Sequence, residues 1–188
     1  TVNPVNDAPT VISPIENLEL LEDSEDVSID LSGVFNDVEN GSNLSLLVSE
    51  TMDELSASIE GNILILSFVQ NAYGQGTVTV SASDVVSRLS VSTTFNVTIV
   101  SVNDAPVITE ISDQNIDEDG SLTLELSGVD VDGDELLFSS TSGDINGTSL
   151  TITPPADYNG SEEVTVSVTD GDLSDSTTFT LTVNPVND

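Results

Sequence analysis

The chain has 188 residues, with 34 acidic side chains against a single base, Arg88, and a formal net charge of −33. That balance excludes a nucleic-acid partner, which needs clustered Lys and Arg, and direct contact with an anionic membrane surface. Cys and His are absent, so no disulfide staples the fold and neither a Ser–His nor a Cys–His nucleophile can be built.

From the N-terminus, the first marker is Val5-Asn6-Asp7-Ala8-Pro9. An acidic pair, Glu22-Asp23, precedes an alternating run at Val27, Ile29 and Leu31, followed by Asp37-Val38-Glu39-Asn40-Gly41. Further alternation marks Leu64-Leu66, Val78-Val80-Ala82 and Phe95-Val97-Ile99, with Asn71-Ala72-Tyr73-Gly74 and Asp84 between them. Val102-Asn103-Asp104-Ala105-Pro106 then repeats the first marker. The second half follows the same order: Glu118-Asp119, Leu122-Leu124-Leu126, Asp130-Val131-Asp132-Gly133-Asp134, Leu150-Ile152, Asp157-Tyr158-Asn159-Gly160, Val164-Val166-Val168, Asp170 and Phe179-Leu181-Val183. A third Val-Asn-Asp stands at Val186-Asn187-Asp188. The Val-Asn-Asp asparagines lie 97 residues apart (Asn6 to Asn103) and then 84 (Asn103 to Asn187). A repeat of that size is a whole domain, so two domains are expected, 1–102 and 103–188, with Val-Asn-Asp-Ala-Pro as the joint.

Period-two alternation in short runs rich in Val, Ile and Thr, bounded by Gly, Asn, Asp or Pro, predicts strands throughout. About seven per module reads as a β-sandwich. The Ser and Thr residues of Thr77–Ser83 and Thr165–Thr169 are expected to face solvent. Module one is longer around Val34–Asn43, Glu50–Ser58 and Val85–Leu89, and the extra residues are expected in surface loops. No apolar run reaches the roughly 18 residues of a membrane span, so any export signal or anchor is expected outside this segment.

Asp130-Val131-Asp132-Gly133-Asp134 places three carboxylates at alternate positions around a Gly turn. Hard cations want such oxygen ligands, and a carboxylate-rich cage suits calcium better than magnesium, which keeps its waters. It is not an EF-hand, since no bidentate Glu or flanking helices accompany it. Asp also favours turns through Asx hydrogen bonds, so a plain structural reading stands beside the metal reading.

The order of these motifs resembles tandem cadherin-like repeats of large bacterial surface adhesins, over essentially the whole chain. The resemblance implies two cadherin/immunoglobulin-like Greek-key β-sandwich domains end to end, with calcium at their junction. Carried onto this chain, the central junction would use Glu22, Asn103, Asp104, Asp130, Asp132 and Asp170, with Asp134 as a further candidate. Asn71 stands where module two has Asp157, which removes one charge. The N-terminal pole of module one would use Asn6, Asp7, Asp37, Glu39 and Asp84; its altered motif implies a weak or vacant site. The C-terminal pole offers Glu118, Asp157, Asn187 and Asp188.

The expected function is a calcium-rigidified extracellular spacer in a monomeric cell-surface protein, partnered by adjacent repeats and not an enzyme. The alternative is direct binding of carbohydrate, such as a surface polysaccharide, or of another cell-surface ligand. Sugar sites use exposed aromatics; only Tyr73 and Tyr158 are available, and Tyr158 is expected to pack inward.

Overall fold

The structure, a computed structural model, describes residues 6–85 and 87–187. The chain divides into two compact units, Thr1–Val102 and Asn103–Asp188. Unit one contains β1 (Thr10–Val11), β2 (Leu18–Leu21), β3 (Val27–Asp30), β4 (Phe35–Asn36), β5 (Ser45–Glu50), β6 (Leu55–Glu60), β7 (Ile63–Phe68), β8 (Gly74–Ser83) and β9 (Ser90–Val100). Unit two repeats them one for one as β10 (Val107–Ile108), β11 (Gln114–Asp117), β12 (Leu122–Glu125), β13 (Gly128–Val129), β14 (Leu137–Ser140), β15 (Asp144–Asn146), β16 (Ser149–Ile152), β17 (Gly160–Thr169) and β18 (Ser174–Asn184). Among the described residues no helix is long and apolar enough to cross a membrane.

Each unit is a sandwich. In unit one a four-stranded sheet runs β2-β9-β8-β5, a three-stranded sheet runs β3-β7-β6, and β1 pairs with β4. Unit two has the same orders, β11-β18-β17-β14, β12-β16-β15 and β10-β13. Among the described residues the parallel pairings are β2 with β9 and β11 with β18. Between the two larger sheets the chain crosses after β2, after β3 by way of β4, after β5 and after β7, and in unit two after β11, after β12 by way of β13, after β14 and after β16, which makes each unit a Greek key.

The long hairpins β8–β9 and β17–β18 carry the core. In unit one Val78 faces Phe95 across the ladder, and in unit two Val164 faces Phe179. All four are buried and pack with Leu64 and Leu66 or Leu150 and Ile152 from the opposing sheet. Burying each such side chain contributes about 1.5–3 kcal/mol, enough to serve a small core without tryptophan. The intervening hydroxyls form cross-strand pairs on the outer face, Thr79 with Thr94 at 2.9 Å and Thr165 with Thr178 at 3.1 Å.

The extra residues of unit one divide between loop and strand. The β8–β9 loop covers 84–89, against 170–173 in the β17–β18 loop. The segment Glu50–Ser58, expected as a surface loop, instead lengthens β5 and β6 and brings Met52 and Leu55 into the core. Gly76 makes room for this: a Cβ there would lie 2.9 Å from Met52 Cβ and Cγ.

After β3, the Ser32 N–H donates to Asp30 Oδ1 at 2.8 Å. That N–H, and then the Ser32 hydroxyl, hold the Asp30 carboxyl below its ordinary pKa. Because the folded value is the lower one, Asp30 favours the fold above the unfolded pKa of about 3.9, and the effect is lost as pH falls through the folded value. Ser32→Ala should therefore return part of the shift, read by carboxyl-carbon NMR titration. Separately, Leu150→Ala should lower the unfolding free energy by about 2–5 kcal/mol, read from urea melts.

Candidate cation sites at the strand ends

In unit two the turn after β13 folds around Asp130. Its Oδ1 accepts from the N–H groups of Gly133 (3.0 Å) and Asp134 (3.3 Å), an Asx-type closure in which Gly133 takes φ +82°. This turn brings one carboxylate oxygen from each of Asp130, Asp132 and Asp134 within 4.8 Å of one another. The linker is tied to the same place. The Asp104 N–H donates to Asp132 Oδ2 at 2.8 Å, and Asn103 Nδ2 donates to Asp170 Oδ2 at 2.9 Å. Asp170 closes its own turn with Oδ1, which accepts from Asp172 and Leu173, both at 2.7 Å. The Leu173 N–H foremost, and then the Asn103 amide, hold the Asp170 carboxyl below its ordinary range.

Five of the expected ligands, Asn103, Asp104, Asp130, Asp132 and Asp170, are thus joined through the linker and two loops, and Asp134 lies beside Asp130 and Asp132. The donor set is all oxygen with no basic side chain in the unit, since the chain's one base, Arg88, belongs to unit one. Asp130 Oδ2 is buried and has no hydrogen-bond partner. A buried carboxylate oxygen left this way is costly without a cation, so these residues fit a hard divalent ion.

Unit one has the same scaffold with different chemistry. Asp37 and Asp84 are 3% and 1% exposed, and Asp37 Oδ2 is also buried without a hydrogen-bond partner. Asp37 Oδ1 accepts from Glu39 (3.0 Å) and Asn40 (2.8 Å), and the Asp7 N–H donates to Glu39 Oε2 at 3.3 Å. Asp84 accepts from Asn6 Nδ2 (2.7 Å), Asn40 Nδ2 (3.0 Å) and the Ser87 hydroxyl (2.5 Å). Asn6, Asp7, Asp37, Glu39 and Asp84 therefore meet here. Asn40 and Ser87, which the sequence did not single out, supply neutral donors to Asp84. Their only sequence signal was that Asn40 replaces the motif glycine and Ser87 lies in the extra loop residues.

At the opposite strand ends each unit presents a Glu to its own following segment. Glu22, 6% exposed, accepts from the Val102 N–H in unit one. In unit two Glu118 Oε1 accepts from the Val186 N–H at 2.6 Å, and its Oε2 from Asn159 Nδ2 at 3.3 Å. Asp157 and Asn71 take part through the backbone: their N–H groups donate to Asp119 Oδ1 (3.2 Å) and Asp23 Oδ1 (2.9 Å) while the residues hold φ +60° and +54°. Asp23 and Asp119 are thus turn clamps that sequence reasoning paired with the Glu but gave no role. Asp188 lies outside the described residues.

Residues 103–184 match the family described as Bacterial Ig domain. No curated protein matches the chain. Among solved structures, Drosophila N-cadherin EC1-4 is 16% identical over 95% of this chain and 50% of its own, with TM-score 0.51. An endo-fucoidan hydrolase of glycoside hydrolase family 107 is 22% identical over 100% of this chain and 30% of its own, with TM-score 0.43. The titin domains z1z2, solved in complex with telethonin, are 15% identical over 98% of this chain and 100% of theirs, with TM-score 0.41. The chain thus spans less than a third of the fucoidan hydrolase and half of the cadherin fragment. Likeness at this identity shows fold alone, and the fold is that of tandem immunoglobulin/cadherin-like β-sandwich repeats.

Removing a turn clamp should loosen one strand end without touching the aspartate cluster. Asp119→Ala is expected to destabilise unit two by about 1 kcal/mol in urea unfolding, the modest value fitting an exposed charge-assisted hydrogen bond.

Proposed function

We propose that this chain is part of the extracellular repeat region of a bacterial adhesin and acts as a calcium-rigidified spacer without enzymatic activity. The observation that carries this is the convergence of Asp130, Asp132 and Asp134 on one turn, with Asp130 Oδ2 buried and lacking a hydrogen-bond partner. Bound calcium would supply positive charge to offset the mutual repulsion of these carboxylates. Asp104 and Asn103 tie the linker to the aspartate loops, so the same ion would hold the linker down. Extracellular calcium modules bind at about 10⁻⁴–10⁻³ M, a range filled outside cells and not within them. The spacer would then be pliant during export and stiff afterwards. The match of residues 103–184 to bacterial Ig domains supports a surface location.

Thermal melts in chelator, in millimolar calcium and in magnesium at matched ionic strength test the reading. Calcium at a hundred times its dissociation constant adds about 2.7 kcal/mol, expected to raise the midpoint by roughly ten degrees. Magnesium should do much less, and Asp132→Ala should abolish most of the calcium effect. Identical midpoints in all three buffers would refute calcium binding.

A further inference from the structure

We propose that unit two carries a second binding site, a cleft for a neutral pyranose sugar, between the β15–β16 hairpin and the turn that leads into β17. The cleft has a volume of about 350 Å³, within the range of small-molecule sites. Its lining joins Pro154, Pro155 and the Tyr158 ring with the polar groups of Ser142, Asp144 and Glu162. Tyr158 is 36% exposed, not packed inward as its turn position suggested.

The walls are pre-set. Gly143 takes φ +83°, and a Cβ there would lie 2.4 Å from Thr151 O, so the hairpin is closed as tightly as backbone allows. The Ser142 hydroxyl donates to Glu162 Oε1 at 3.1 Å, and the Tyr158 N–H donates to Pro155 O at 3.2 Å. Asp119 holds the turn from behind through the Asp157 N–H.

The matching position in unit one is occupied for an identifiable reason. Glu162 stands two residues after Gly160 on β17, where β8 has Gly76 two residues after Gly74. In unit one the Met52 side chain lies against Gly76 and occupies the corresponding space. Unit two connects β14 to β15 by only 141–143, against 51–54 in unit one, and has no such plug.

Two features select the ligand. Unit two contains no base and the cleft carries two carboxylates, so an anionic sugar is repelled. Proline and tyrosine surfaces beside hydroxyl and carboxylate acceptors match a pyranose, whose C–H faces are apolar and whose rim donates hydrogen bonds. A cationic side chain fits less well, because Asp144 is exposed and Glu162 already accepts from Ser142, and ion pairs in water contribute little. None of the cleft residues belongs to the aspartate cluster, so this inference does not rest on calcium.

The test is affinity electrophoresis of the 188-residue chain in chelator, through gels holding a neutral glucan, mannan, xylan or galactan, with anionic alginate as control. Retardation is expected in at least one neutral gel and not in alginate. Tyr158→Ala should weaken it about tenfold, the scale of one lost aromatic contact, with the melting midpoint checked for each variant. Glu162→Gln, which keeps shape, should weaken it too and decides the matter if Tyr158→Ala does not fold. No retardation in any neutral gel, retardation confined to alginate, or undiminished retardation of both folded variants would each overturn the proposal. So would Tyr158-dependent retention on immobilised poly-lysine with no neutral sugar bound. Retention that persists in chelator while the calcium melts fail, or the reverse, separates this site from the spacer reading.

Discussion

Alternate residues of the two long hairpins, β8–β9 and β17–β18, are buried against a three-stranded sheet, and that alternation decides where every other group can go. Val78, Val80, Ala82, Phe95 and Val97 turn inward in unit one, as Val164, Val166, Val168, Phe179 and Leu181 do in unit two. The intervening positions are largely Ser and Thr, whose hydroxyls pair across the ladder. Charges have no place within such a thin apolar layer, because a buried unpaired carboxylate costs far more than a small core can offset. The acidic groups that do become buried, Glu22, Asp37 and Asp84, lie at strand ends, where backbone N–H groups and amides can meet them.

Those carboxylates divide their work between two oxygens. In Asp130 and Asp37 one oxygen accepts backbone N–H groups and shapes the turn, while the other is buried without a hydrogen-bond partner. Asp170 divides likewise, Oδ1 serving its own turn and Oδ2 the linker asparagine. The turn-forming use of Asp therefore does not compete with the cation binding proposed above. It fixes one oxygen of the carboxylate, and lowers the carboxyl pKa where enough donors converge, as at Asp170.

The two units show how far one framework can diverge through a few side chains. With Gly133 and Asp134 the turn presents three carboxylates together; with Asn40 and Gly41 in their places an amide reaches Asp84 instead. With Met52 against Gly76 the space beside β8 is filled; with Glu162 and a shorter connection the matching space beside β17 is a cleft. Among the described residues the nine strands of each unit and their pairings are unchanged by either exchange.

Period-two alternation and the repeated Val-Asn-Asp markers determined the β class, the inward residues and the pairing of Asp37 with Asp130 and Asp84 with Asp170. These are local properties, since a strand's side-chain period is set by its own backbone. Tertiary structure alone decided which groups meet across long sequence distances. It joined Asn103 to Asp170, set Asn40 on Asp84, and made Asp23 and Asp119 clamps for turns far along the chain. It also drew Met52 into the core and left Tyr158 exposed, against what their positions in sequence suggested. Whether a loop residue faces water or a neighbour depends on the volume left by strands it never touches in sequence, and no local pattern encodes that volume.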